Sequence, residues 1–233
     1  MNYATSGAQA SIESASARAS DALWVTYRWM TLGLATTGVV ALGVAHTPAF
    51  VEAIVFNRIL FYGLLLGQFG LVLAFSAVAR RVSTAVAALL FFSYAALTGV
   101  TFSTLFLVYT AASIAQTFFV TAGAFAGLSV FGAVTKRDLG FIGRFAIFAL
   151  GGLILAMFAN MFFRSTQFDL LVSVVGIVVF AGLTAYDTQK LKEMFIEEGA
   201  VANLPLVGAL TLYLDFVNMF LFLLRFLGNR RSD

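Results

Sequence analysis

Cysteine is absent from the chain, histidine occurs once and proline twice. Without cysteine there are no disulfides and no thiol chemistry, and one histidine alone argues against a zinc site. Charge is also scarce, since only 11% of the 233 residues are charged, against roughly 25% in soluble domains. The basic residues lie between apolar runs rather than on one face, so we expect no nucleic-acid partner. We also expect no cofactor.

Apolar side chains are abundant instead and make up 61% of the chain. Lipid must cover what so small a protein cannot bury. A spanning helix needs about 20 mostly apolar residues, and lipid leaves no alternative to helix at that depth. The sequence therefore predicts an all-α integral membrane fold, a bundle of seven transmembrane helices. The expected spans are residues 25–45, 59–79, two within 82–135 that divide near 109–113, 145–163, 170–186 and 204–224.

The two ends of the chain differ from the apolar region. Residues 1–24 are rich in serine and alanine and poor in large apolar side chains, which is typical of a disordered tail. They contain no apolar run of the kind that a signal peptide requires. We expect a disordered N-terminal tail over 1–24, a seven-helix domain over 25–228 and a C-terminal tail over 229–233.

Lysine and arginine indicate the orientation, because cytoplasmic loops carry an excess of both. With the N-terminus in the cytoplasm and seven crossings, nine basic residues lie inside and five outside. If the last segment returned without crossing, the count would become twelve against two. The length of the segment favours a full crossing, and the charges favour the alternative.

Asp215 is the most unusual residue, because it interrupts the apolar run LTLYLDFVNMFLFLL near the middle of the seventh span. A charge at the centre of a spanning helix costs about 2.5–3.5 kcal/mol on insertion scales. We expect Asp215 to face the bundle interior, where it is protonated, paired or bound to an ion. The alternative is a buried acid satisfied by Thr211 and Asn218 on its own helical face.

Asp187 follows the sixth span and begins a polar stretch that extends to Glu198. It could be a simple helix-end charge or the cap of a short amphipathic segment, 188–195. The short connection between the sixth and seventh spans makes their helices expected neighbours, which would bring Asp187 close to Asp215. Two carboxyls in a low dielectric cannot both ionise cheaply, so they titrate as a unit. Such a pair predicts a pH sensor, or a transient site for Ca²⁺.

Arg80 and Arg81 end the second span on the side expected to be cytoplasmic. If either arginine reaches Asp187, it keeps that acid ionised and forms a latch that protonation would release. The alternative is an ordinary anchor at the cytoplasmic surface of the membrane.

The motifs GLTAYDTQKLKEM and LYLDFVNMFLFLLRFLG, which contain the two aspartates, resemble the signature of the Bax inhibitor-1 family, especially its short bacterial members. The resemblance covers about residues 25–228. It implies a seven-helix bundle with the last helix central, the family's aspartate dyad at Asp187 and Asp215, and its second-helix arginine at Arg80 or Arg81. Family members are described as pH-sensitive Ca²⁺ leak channels, and some bacterial members modulate a membrane protease.

The expected function is therefore a pH-sensitive Ca²⁺ leak across a bacterial inner membrane, with Ca²⁺ as the permeant ion and the lipid bilayer and protons as partners. The alternative is a membrane regulator that binds a protease. An intramembrane aspartyl protease would also need two acids, and Tyr186-Asp187 matches its first motif. Tyr213-Leu214 stands where its Gly-x-Gly turn belongs, so we expect no enzyme.

Overall fold

The structure is a computed structural model that describes residues 3–199, 201 and 203–231. This part of the chain is helical, and it contains no strand beyond one isolated bridge between Tyr109 and Arg230. The helices in chain order are α1 (Tyr3–Ala45), α2 (Pro48–Phe56), α3 (Arg58–Val78), α4 (Thr84–Phe102), α5 (Leu105–Val108), α6 (Ala111–Val134), α7 (Gly140–Phe163), α8 (Thr166–Glu198) and α9 (Leu204–Leu227).

Seven helical segments of the described chain are long and apolar enough to cross a membrane, which confirms the predicted all-α, seven-helix membrane fold. The predicted division of residues 82–135 is also correct, because α5 ends at Val108 and α6 begins at Ala111. Thr110 accepts a hydrogen bond from Ser113 N and so caps α6. The last span is the most buried of the seven, with 72% of its apolar window inside the protein.

Helix α1 extends further towards the N-terminus than the sequence predicted. Residues 3–24 are helical, although a disordered tail was expected over 1–24; residues 1 and 2 lie outside the described part. Alanine explains the difference, because it is the best helix former and needs no large apolar neighbour. Ala19 and Ala22 are buried together with Leu23, so this segment packs through small side chains that a search for large apolar residues misses.

Helix α8 is the second departure from the predicted elements. The sixth span was expected to end at residue 186, but one helix of 33 residues runs through to Glu198. At 1.5 Å per residue it is about 50 Å long, against about 30 Å of hydrocarbon. Asp187 therefore lies inside a continuous helix, three turns before its end, rather than at a helix terminus.

The chain divides into two compact units, of which the first contains Met1–Thr104 and Lys190–Leu210. In it α1 packs on α4, where Trp29 meets Phe92 with ring centroids 5.9 Å apart. Thr37 Oγ1 donates to Ala95 O at 2.9 Å. A Cβ on Gly99 would lie 2.6 Å from Thr37 O, so only glycine allows α1 and α4 to come this close.

The second unit contains Leu105–Gln189 and Thr211–Asp233. Phe216 of α9 lies edge-on against Phe118 and Phe125 of α6, at 5.4 and 5.5 Å between centroids. On the other side Phe222 stacks on Phe180 of α8 at 5.9 Å. The α9 segment that carries Asp215 is therefore held by aromatic contacts to both α6 and α8.

Candidate functional site

Asp215 is buried in α9, with 4% of its surface exposed. Its neighbours Tyr213 and Phe216 are also buried, at 0% and 3%. The amide of Asn218 donates to Leu214 O of its own helix at 2.8 Å, and the alternative in which Thr211 and Asn218 satisfy the acid stays a prediction. Asp215 Oδ2 is shielded from solvent and has no hydrogen-bond partner among the described residues. An unsatisfied buried carboxyl oxygen is costly, so this site needs a proton, a water or a cation.

Asp187 lies on α8 and is half-buried. Its carboxyl interacts directly with that of Asp215. The structure thus brings together the two acids that the sequence singled out, on the two helices predicted to be neighbours. Two carboxyls can share a hydrogen bond only when one of them carries a proton, so the arrangement is suited to holding one proton between two sites.

Hydroxyl groups surround the α8 turn that carries Asp187. Thr184 and Thr188 are fully buried, and Thr188 Oγ1 lies 3.5 Å from Ser129 Oγ of α6. Gly132 faces Ala185 O so closely that no Cβ fits between them. The buried face of α6 continues this polar character along most of its length, as Ser113, Thr117, Thr121, Phe125, Ser129 and Gly132.

Gln189 fixes a loop next to the acid pair and was not identified from the sequence. Its Oε1 accepts from Leu139 N at 2.8 Å, and its Nε2 donates to Arg137 O at 2.9 Å. The side chain therefore satisfies one backbone donor and one backbone acceptor of the α6–α7 loop. Only its position two residues after Asp187 could have drawn attention to it.

Arg80 forms an ion pair with Glu198 at 3.2 Å, with side chains 51% and 42% exposed. Exposed pairs of this kind contribute about 0–1 kcal/mol. Arg81 is exposed. The hypothesis that one of these arginines latches Asp187 stays a prediction.

Asn203 is the second residue that sequence reasoning missed. It is buried, at 2% exposure, and its Nδ2 donates to Ala79 O at 2.7 Å and Val82 O at 2.8 Å. These carbonyls follow the last turn of α3, where the helix leaves acceptors without partners. Asn203 thereby ties the α8–α9 connection to the α3–α4 turn.

A polar cluster occupies the other end of α8 and α9. Arg225 pairs with Asp169 at 3.2 Å and lies 5.7 Å from the ring centroid of Phe222. Asn160 Nδ2 donates to the same carboxyl at 3.4 Å. The cluster joins the α7–α8 corner to the end of α9, away from the acid pair by several helical turns.

Among the described residues, no group of three or more His, Asp or Glu side chains could hold a metal ion. Ca²⁺ takes about six to eight oxygen ligands. Two carboxyls supply too few for a tight Ca²⁺ site.

Comparison with known proteins agrees with the membrane fold and with the family resemblance. Residues 20–232 match the family model described as inhibitor of apoptosis-promoting Bax1. The chain is 48% identical over 210 residues to the inner membrane protein YbhL of Escherichia coli K12, covering 88% of this chain and 90% of the relative.

Two further relatives come from other bacteria. An uncharacterized protein of Borreliella burgdorferi is 45% identical over 209 residues, with 88% of this chain and 90% of the relative covered. One of Deinococcus radiodurans is 46% identical over 212 residues, with 89% of each chain covered. The fold defines a polytopic integral membrane protein. The chain belongs to the Bax inhibitor-1 family.

Proposed function

We propose that the protein is a pH-sensitive Ca²⁺ leak channel whose opening is governed by the proton that Asp187 and Asp215 share. The observation that carries this proposal is the direct interaction of a buried acid in α9 with a second acid in α8. A pair that holds one proton binds α8 to α9. Loss of that proton leaves two negative charges that repel each other or recruit a cation.

Ca²⁺ is the permeant ion and is held only transiently by Asp187 and Asp215. The hydroxyl-bearing face of α6 offers further oxygen atoms along the same side of the bundle. Arg80 or Arg81 is the proposed charge partner of Asp187 in one state of the gate. Arg80 meets Glu198 instead in the structure, so exchange of partners would accompany the gating.

We place the protein in a bacterial inner membrane, because the E. coli relative is described as an inner membrane protein. We place its N-terminus in the cytoplasm. The acids then meet towards the cytoplasmic half of α8 and α9. We assign the pair no catalytic role, because Tyr213 and Leu214 replace the Gly-x-Gly turn that an aspartyl protease uses to place its second acid.

The test is Ca²⁺ flux into proteoliposomes as a function of pH. Asp215→Asn and Asp187→Asn should each abolish the pH response, because a neutral amide cannot release the shared proton. Glu193→Gln is the matched control, since it removes an exposed acid from α8 and should leave the profile unchanged.

A pH-dependent leak that persists in both aspartate variants contradicts the gate. Wild-type protein that never moves Ca²⁺, but co-purifies with a membrane protease, would support the alternative function of a membrane-embedded regulator.

A further inference from the structure

Four of the described residues line a groove along α1 and share one helical face: Asp21, Trp24, Val25 and Arg28. It is open and has a volume of about 530 Å³. The spacing of three, four and seven residues places all four side chains on the same side of the helix. This groove lies in the first compact unit.

The groove has charges of opposite sign at its two ends. Asp21 and Arg28 are exposed, and neither forms an ion pair with any residue that the structure describes. Their α-carbons are seven residues apart, about 10 Å along the helix. Trp24, which is 67% exposed, lies between them. The site therefore offers a carboxylate, an indole and a guanidinium in a fixed order.

The groove lies where α1 enters the membrane, because the uninterrupted apolar run begins after Arg28. Leu32 and Val39 continue the same helical face, at seven-residue intervals from Val25, and are 53% and 70% exposed. Tryptophan at this boundary is typical of the interface between headgroups and acyl chains. The face is thus polar at one end and apolar along the rest.

We infer that this face binds a zwitterionic phospholipid. In such a lipid the ammonium is the outermost group, the phosphate follows and the acyl chains point inward. Along α1 the order from the membrane surface towards its centre is the same. Asp21 would bind the ammonium, Arg28 the phosphate, and Leu32 and Val39 an acyl chain. Guanidinium binds phosphate through paired hydrogen bonds, and the indole face of Trp24 attracts a cation.

The order of the charges selects this ligand over others. An anionic phospholipid without an amine would bring no partner for Asp21 and would meet its negative charge. A tightly packed partner helix favours small residues in its contact, whereas this face presents tryptophan and arginine. The long side chain of Arg28 can reach back along the helix towards Asp21, which narrows the separation of about 10 Å between their α-carbons.

The chain contains two tryptophans, which makes a direct test available. Trp29→Phe leaves Trp24 as the single indole, and its fluorescence is quenched by lipids with brominated acyl chains. Two vesicle preparations contain phosphatidylethanolamine and phosphatidylglycerol in equal mole fractions, and only one of the two lipids is brominated in each. Brominated phosphatidylethanolamine should quench Trp24 roughly two- to fivefold more than brominated phosphatidylglycerol. This range corresponds to the free energy of an exposed ion pair. Trp24→Phe, which leaves only Trp29 against Phe92, should show no headgroup preference.

Substitutions then test the order of charges. Asp21→Asn and Arg28→Gln should each remove the preference, and the double variant Asp21→Arg with Arg28→Asp should remove it at unchanged net charge. Arg18→Gln, outside the groove, should retain it. Equal quenching by both lipids in the Trp29→Phe protein overturns the inference, as does a preference for phosphatidylglycerol or one that survives reversal of the charges.

Discussion

Asn203 shows how one buried amide can determine a connection between membrane helices. It supplies donors to two carbonyls beyond the end of α3, while its own Oδ1 is buried and unpartnered among the described residues. The exposed Arg80–Glu198 pair lies at the same α3–α4 turn. The geometry assigns the greater stabilisation to the neutral amide rather than to the ion pair, because only the amide is shielded from water.

Asn203→Asp should lower stability by about 1–3 kcal/mol, because a carboxylate would face two carbonyl oxygens and lose both hydrogen bonds. Glu198→Gln should cost less than about 1 kcal/mol. Thermal unfolding of both variants in the same detergent measures the difference. A larger loss for Glu198→Gln than for Asn203→Asp would reverse the ranking.

At the scale of elements, contact between α6 and α8 depends on glycine at a single turn. Gly132 of α6 lies so close to Ala185 O of α8 that a Cβ would not fit between them. Ala185 directly precedes Tyr186 and Asp187 on α8. Gly127, on the same helix, has no described atom within 4 Å of its would-be Cβ. The two glycines therefore form a matched pair.

Gly132→Ala should destabilise the protein by about 1–3 kcal/mol, because the added methyl forces α6 and α8 apart. Gly127→Ala should be neutral or slightly stabilising, since alanine is the better helix former. Thermal unfolding separates the two. Under the proposed function, Gly132→Ala should also shift the pH profile of Ca²⁺ flux, and equal behaviour of both variants would contradict the role of the close contact.

The elements that the sequence predicted well are those that hydrophobicity alone determines. Gaps between charges located the seven spans, and Asp215 was conspicuous because it interrupts one of them. The continuation of α8 to Glu198 was not predictable this way, because a helix that leaves the bilayer becomes polar without ending. The roles of Gln189 and Asn203 depend on carbonyls 50 and more residues away in sequence, which no local pattern reveals.

At the scale of the whole molecule, an odd number of crossings places the two ends of the chain on opposite sides of the membrane. The described part of the chain contains seven helices of sufficient length, which supports this arrangement. The return of the last segment to the same side, which the arginine count favours, would leave only six crossings. Since the natural chain has no cysteine, single introduced cysteines report the topology without background.

Cysteines at His46 and Arg230 should react with an impermeant maleimide on intact cells, because both residues follow outward crossings in the proposed orientation. Cysteines at Ser83 and Asp138 should react only after permeabilisation. If Arg230→Cys reacts only after permeabilisation, like the cysteines at Ser83 and Asp138, α9 does not cross the membrane. If all four cysteines show the inverted pattern, the orientation is the reverse of the one proposed.

Helix α8 is longer than the hydrocarbon layer of a membrane is thick. About 20 Å of this helix exceeds what the hydrocarbon layer can enclose, and the excess is continuous with the turn that carries Asp187. The end near Glu198 belongs to the same helix as Asp187, so a soluble molecule that binds this end contacts the helix of the acid pair without entering the membrane.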